Sequence, residues 1–328
     1  MSRRYINQLS ERDAIDQVFL VADKQLRANR NGNLYVQLRL SDRSGSLSGM
    51  LWNATDAIYN SFENGGYLRV QGTTQLYNGS LQMIVTRIER VDPSTIDEAD
   101  FITVRSAELD QLAARLAEML RAMTNVHLRT LAECFLIDEA FMEKFTSAPA
   151  GVKNHHAHRG GLLQHVVSLM EVCAVVAPRY ADLDPDLLLT GAFLHDAAKI
   201  DELSYERELG YTDEGQLIGH LVMAVGMLEA KVREAEKLSG ETFPPELVLR
   251  IKHMIVSHHG EYEFGSPKLP MTLEAIALHY LDNLDAKLYS VGQMLQEDLN
   301  SDSPWTSYNQ ALGRKFYKGA SKKAERPA

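Results

Sequence analysis

Cysteine is almost missing. Cys134 and Cys173 are the only two in 328 residues, both lie in helix-like apolar surroundings, and they form no CxxC pair. That excludes a disulfide-stapled scaffold and a cysteine-rich zinc module, and leads to the expectation of reduced core thiols in a cytoplasmic protein. No apolar run reaches membrane-spanning length, and Met1-Ser-Arg-Arg is not followed by a signal-peptide core, so no membrane partner is expected. Internal repeats are lacking, and so is low-complexity sequence apart from a basic tail. Positive charge is short as well: the formal net charge is -10, which excludes a chain coated for polyanion binding.

The charge that is present is unevenly spread. Residues 1–92 carry 11 Lys+Arg against 9 Asp+Glu, so the remaining chain holds the whole acidic excess. Carboxylates that carry divalent cations would neutralise part of it. From Arg314 to Ala328 there are 6 basic residues and one acid, a stretch that is either solvated or holds a polyanion. The length allows two domains with separate cores.

Residues 13–92 alternate as β-strands. Val18 to Leu26 and Leu34 to Leu40 flank Arg30-Asn31-Gly32-Asn33, a hairpin signal. Leu34, Val36, Leu38 and Leu40 share one face, and Tyr35, Gln37 and Arg39 the other. A third strand, Ser46 to Trp52, precedes a short helical piece, Ala54 to Phe62. A final strand pair, Tyr67–Tyr77 and Leu81–Val91, turns at Asn78-Gly79. Three strands, a helix and two strands are the order of a five-stranded OB β-barrel, which binds oligonucleotides by stacking bases on aromatics beside cationic side chains. The segment resembles the anticodon-binding type of OB domain. Tyr35, Arg39, Trp52, Arg69 and Tyr77 are the candidate strand-binding residues, against the alternative that Trp52 is core and the tyrosines are ordinary strand residues.

Asp92-Pro93 closes the barrel, because Pro93 cannot continue a central strand. From Ser106 the pattern turns helical, with Leu109, Leu112, Leu116, Met119, Leu120 and Met123 at three- and four-residue steps. The expected division is 1–92 barrel, 93–150 linker and leading helices, 151–298 an all-α domain, and 299–328 basic tail.

The helical half holds a series of polar residues in apolar runs. They are His165 in Gly161-Leu-Leu-Gln-His-Val-Val-Ser, His195-Asp196 in Leu194-His-Asp-Ala-Ala-Lys199, and His220 in Gly219-His-Leu. His258-His259 follow in Ser257-His-His-Gly260, then Asp282 in Leu278-His-Tyr-Leu-Asp-Asn-Leu-Asp-Ala-Lys287. Buried imidazole and carboxylate must find partners, and together they suit divalent transition metals. His253 and His279 read as satisfied core histidines, and Asp285, a helical step beyond Asp282, as a supporting acid. Lys199 falls near the helix face of Asp196.

The order His, His-Asp, His, His-His, Asp resembles the HD-domain metal-dependent phosphohydrolases. Carried over residue by residue, the resemblance implies His165, His195, Asp196 and Asp282 as ligands of a first metal. His220 and one or both of His258 and His259 would hold a second, with Asp196 shared. Lys199 matches a lysine that suggests a phosphate contact or proton donation to the leaving group. Two metals about 3.5–4 Å apart can hold a hydroxide and stabilise an in-line displacement at phosphorus. Lys153-Asn-His155-His156-Ala-His158-Arg159 precedes the first helix, and His155, His156 and Arg159 are candidates to line a substrate channel.

Both halves together, over roughly residues 13–295, resemble the YhaM family of 3′–5′ exoribonucleases. The resemblance implies a metal-dependent 3′–5′ exonuclease that degrades single-stranded RNA, or DNA, to 5′-mononucleotides. Two divalent ions are implied, manganese foremost, with Co, Fe, Ni or Mg as alternatives. Ala197-Ala198 stand where many HD proteins have Leu-Gly, a small-for-small change. Two other readings compete: an HD phosphohydrolase of small nucleotides or cyclic dinucleotides, disfavoured by the lack of a Gly-Tyr-Pro signature, and a non-catalytic nucleic-acid-binding adaptor. A homo-oligomer is left open.

Overall fold

The computed structural model describes residues 3–29, 32–77, 80–101, 106–152, 158–205, 210–298, 303–310 and 312–319. The chain divides into two compact units, each built on its own core. Among the described residues, those from 3 to 101 and from 290 to 319 form one, and those from 106 to 205 and from 210 to 289 the other.

In the first unit, β1 (Ala14–Ala28), β2 (Leu34–Asp42), β3 (Gly45–Trp52), β4 (Tyr67–Tyr77) and β5 (Ser80–Val91) close into a barrel of order β1-β2-β3-β5-β4. The pairings are antiparallel except β3 with β5, and closure leaves no exposed sheet edge among these strands. The alternation in β2 predicts its inside correctly: Val36, Leu38 and Leu40 are buried with Phe19, Leu68, Val70 and Met83. The expected helical piece at 54–62 shortens to α1 (Asp56–Tyr59), started by Thr55, whose side chain accepts from Ile58 N–H. The Asn78-Gly79 turn and residues Arg30 and Asn31 lie outside the described residues.

The second unit comprises ten helices among the described residues. They are α2 (Ser106–Arg121), α3 (Val126–Leu136), α4 (Glu139–Ser147), α5 (Gly161–Val176), α6 (Pro185–Leu194), α7 (Lys199–Glu202), α8 (Asp213–Leu217), α9 (His220–Ser239), α10 (Pro245–Ser257) and α11 (Leu273–Glu297), whose last turns pass into the first unit. Residues 203–204 and 210–211 add a two-residue strand pair, β6 (Leu203–Ser204) and β7 (Gly210–Tyr211), to an otherwise helical unit.

Helix starts follow capping chemistry. Asn125, Asp138 and Asp184 accept from the first-turn N–H groups of α3, α4 and α6, and Pro185 takes the first position of α6, where no N–H is needed. The leading helices are part of this core rather than a spacer. Phe135, Phe141 and Phe145 meet Phe193 of α6 at ring distances of 5.5, 6.3 and 5.6 Å, edge to face.

One expectation about the apolar runs needs correction. Gly161–Arg179 is long and apolar enough to cross a membrane by length and composition. The reason is that α5 is apolar nearly all round: Leu162, Leu163, Val166, Leu169, Met170 and Cys173 are wholly buried in the protein's own core.

Candidate metal centre

Two of the site's histidines are placed by the same local device. His195 follows the last turn of α6 and His258 the last turn of α10. Each ring folds back so that Nδ1 donates to the carbonyl three residues earlier, Ala192 O at 2.9 Å and Ile255 O at 2.8 Å. A helix end leaves such carbonyls unpaired, so the ring satisfies the backbone while the helix axis aims its other nitrogen outward. His259 donates likewise from Nδ1 to Phe264 O at 2.9 Å. A carbonyl only accepts, so all three rings carry the proton on Nδ1 and present the Nε2 lone pair.

The remaining rings use carboxylates in that role. His165, a turn inside α5, meets Asp285 Oδ2 with Nδ1 at 2.9 Å, and Asp285 Oδ1 accepts from Ser168 one turn further along α5. His220 opens α9 after Gly219. Its Nδ1 and its backbone N–H both reach Glu202 Oε1, at 2.8 and 3.0 Å. Gly160, at φ 78°, turns the chain into α5, and any Cβ there would collide with Leu109.

The Nε2 atoms gather in two sets. His165 Nε2 lies 3.3 Å from His195 Nε2 and 3.2 Å from Asp282 Oδ1. Ligand atoms of His220, His258 and His259 form a second group within 4.8 Å of one another. Asp196 stands between them. Its Oδ2 is 3.3 Å from His195 Nε2, while its Oδ1 is 3.4 Å from His220 Nε2 and 3.6 Å from His258 Nε2. Lys199 Nζ donates to Asp196 Oδ2 and to Ala150 O, both at 2.7 Å.

The charges are consistent with cation binding. Burial raises the Asp196 carboxyl, but Lys199 and His195 outweigh it and hold it well below the usual range. Asp282 is lowered too, its burial overcome by the hydrogen bond to His165 and the surrounding rings. Burial pushes His165 down, yet its bonds to Asp282 and Asp285 carry it up to about 9. Burial, then the neighbouring His258 ring, pushes His259 down to about 4, so that ring is neutral and ready to ligate at pH 7.

The fit to a divalent cation rests on two atoms. Asp196 Oδ1 and His220 Nε2 are buried and have no hydrogen-bond partner. Two desolvated acceptors 3.4 Å apart destabilise the fold unless a positive charge joins them. A set of imidazole nitrogens and carboxylate oxygens is suited to Mn, Fe, Co, Ni or Zn rather than to calcium, which takes an all-oxygen cage.

The structure thus brings together His165, His195, Asp196, His220, His258, His259, Asp282 and Lys199. Lys199 is engaged with the Asp196 carboxylate and a backbone carbonyl. Glu202 was not among the sequence candidates, because nothing in Lys199-Ile-Asp-Glu202 separates it from Asp201; only the fold turns it toward His220. His155 and His156 lie outside the described residues. Arg159 is exposed, and His158 Nδ1 turns to Arg159 O.

The barrel candidates divide into separate places. Tyr35 and Trp52 are cross-strand partners with ring centroids 4.9 Å apart, and Trp52 is 44% exposed, so it is a surface ring and not core. Arg39 lies on the same outer face of β2, its Nε donating to Ser46 Oγ at 3.3 Å. Arg69 is elsewhere, on the β1–β4 seam, paired with Asp16 at 2.6 Å. Tyr77 ends β4 and is exposed.

Comparison with known proteins agrees with both halves. Residues 20–91 match the family model of an OB-fold nucleic acid binding domain, and residues 162–287 that of the HD domain. The chain is 32% identical over 286 residues to the 3′-5′ exoribonuclease YhaM of Geobacillus sp. (strain WCH70), covering 87% of this chain and 86% of that one. It is 33% identical over 285 residues to the protein of the same name from Bacillus subtilis (strain 168), covering 87% and 88%. The relative from Oceanobacillus iheyensis is 32% identical over 286 residues, again with 87% and 88% covered. With the metal-site geometry, the barrel and relatives matched over most of their length, the chain belongs to the YhaM family of 3′-5′ exoribonucleases.

Proposed function

We propose that this chain is a metal-dependent 3′–5′ exonuclease that hydrolyses single-stranded RNA to 5′-mononucleotides, using two divalent ions of which manganese is the first candidate. The observation that carries the reading is the division of Asp196: one oxygen faces His195 and the other faces His220 and His258. His165, His195 and Asp282 would hold one ion and His220, His258 and His259 the other, with Asp196 common to both. When bound, such a pair supplies an activated water and positive charge at the phosphoryl oxygens.

The chain's own residues supply orientation. Asp285 and Glu202 fix the rings of His165 and His220, so their Nε2 atoms stay aimed at the site, and His165 would give up its Nε2 proton to an arriving cation. Lys199 holds the Asp196 carboxylate in line and, from that position, is assigned to the substrate phosphate or the leaving oxygen. The exposed Tyr35–Trp52 pair beside Arg39 offers stacking surfaces and a cation to a single strand. Buried free thiols at Cys134 and Cys173 support a reducing, cytoplasmic setting.

The test is a 5′-labelled single-stranded RNA with manganese. The wild type should shorten it progressively from the 3′ end, releasing 5′-mononucleotides, and the His195→Ala/Asp196→Ala variant should not. A fully active double variant, or preference for free nucleotides over oligomers, would overturn the reading.

A further inference from the structure

The barrel's compact unit contains chain that the five strands do not account for, since the described residues from 290 to 319 group with those from 3 to 101. The HD match ends at residue 287. Residues 303–319 hold Arg314, Lys315 and Lys318 and no acid, in a protein of net charge -10. They fold back on themselves as a short antiparallel ribbon. Trp305 bridges Tyr317, and Asn309 bridges Arg314. Thr306 N–H donates to Phe316 O at 2.9 Å, and the buried Thr306 hydroxyl accepts from Phe316 N–H at 3.0 Å.

The ribbon turns its rings outward. Trp305, Tyr308 and Tyr317 are 48%, 57% and 59% exposed, and the Trp305 and Tyr317 rings are 5.1 Å apart at 57°. Arg314 and Lys315 are exposed, the former steadied by Nε donation to Leu312 O. Lys318 is drawn inward against Asp298 at 3.3 Å, which leaves Arg314 and Lys315 as the exposed cations; an apolar protein partner would match the rings but not these two charges. Planar stacking surfaces with positive charge match a single strand, whose bases have π-faces and whose backbone is anionic. The barrel repeats the arrangement, with Tyr35 and Trp52 paired across strands beside Arg39.

We propose that the ribbon 303–319 is a second single-strand contact, in which Trp305 and Tyr317 stack bases while Arg314 and Lys315 meet phosphates. It rests on the nuclease reading, because it adds to the hold on the same substrate. The experiment measures binding alone: the full chain, in EDTA, with a fluorescein-labelled oligouridylate read by polarisation across a salt series.

Trp305→Ala should weaken binding about five-fold or more, and Trp305→Phe, which keeps a ring, should restore most of it. Arg314→Gln/Lys315→Gln should reduce the slope of log affinity against log salt by about 1.4, roughly 0.7 for each lost phosphate contact. Hydrolysis of bis(p-nitrophenyl) phosphate, which has neither a nucleobase nor a strand to hold, should be unchanged in all three. Wild-type affinity and slope in both the alanine and the double variant would overturn the inference and leave the nuclease reading standing. So would a Trp305→Ala loss accompanied by a change of oligomeric state, which would make the ribbon an interface between copies. Failure of the wild type itself to bind would sink both.

Discussion

Glu202 offers the sharpest perturbation, because it touches one half of the metal centre. Its Oε1 accepts from His220 at Nδ1 and at the backbone, and the side chain is buried. Burial raises its carboxyl, but the bonds from His220 prevail and keep it ionised below the usual range. Glu202→Ala therefore frees the His220 ring to rotate and to take the wrong tautomer. An outer partner of this kind is worth about 10–100-fold in metal affinity, or roughly 1.4–2.8 kcal/mol. The loss should fall on a single ion, since the Glu202 carboxylate bonds to His220 and not to His165, His195 or Asp282. Manganese titration against a chromophoric chelator should show two sites in the wild type, and one intact and one weakened site in the variant. Asp285→Ala should weaken the other site by releasing His165. Glu202→Gln, which keeps an acceptor oxygen, should lose less. Because Glu202 also caps the first turn of α9, Glu202→Ala should lower the melting temperature by about 2–4 °C, equivalent to ~1 kcal/mol. Equal weakening of both sites, or of neither, would refute the division of the centre.

Other expectations follow from the same contacts. Gly260→Ala places a methyl group at φ 80° against the His279 ring, whose Nδ1 donates to His258 O. It should destabilise by about 2 kcal/mol or more in urea titration and weaken the His258-containing metal site. Burial pushes the Glu274 carboxyl up, but Asp184 N–H and Arg250 outweigh it, so the folded value lies below the unfolded one. Its stabilisation is then full above about pH 4.3 and fades as pH falls through the folded value. Glu274→Gln should cost about 1–3 kcal/mol at pH 7 by urea titration, with the gap narrowing below pH 4. Trp52→Ala should weaken oligonucleotide binding about five-fold or more by polarisation. Arg69→Ala should weaken it less, because that guanidinium is engaged with Asp16.

Much of this organisation was legible in the sequence, for physical reasons that differ by residue. The two-residue period of β2 shows its buried face because Val36, Leu38 and Leu40 have no other way inside a barrel. His195 and His258 stand out because a polar residue ending an apolar helix is conspicuous. The unread parts depend on through-space pairing. Arg69 looks like a free strand cation until barrel closure brings β1 beside β4 and Asp16 beside it. Glu202 has no local signature distinguishing it from Asp201. His258 and His259 are inseparable in the sequence, and ligand atoms of both join the His220 set. Nor does the spacing of His195-Asp196 reveal that the two Asp196 oxygens face different histidines; that depends on how the ends of α6 and α10 meet the start of α9.

The central claim is that Asp196 links two cation positions. The direct measurement is anomalous diffraction from crystals grown with manganese. Two peaks should flank the Asp196 carboxylate, one touched by His165, His195 and Asp282 and the other by His220, His258 and His259. A single peak, or peaks away from Asp196, would contradict the account.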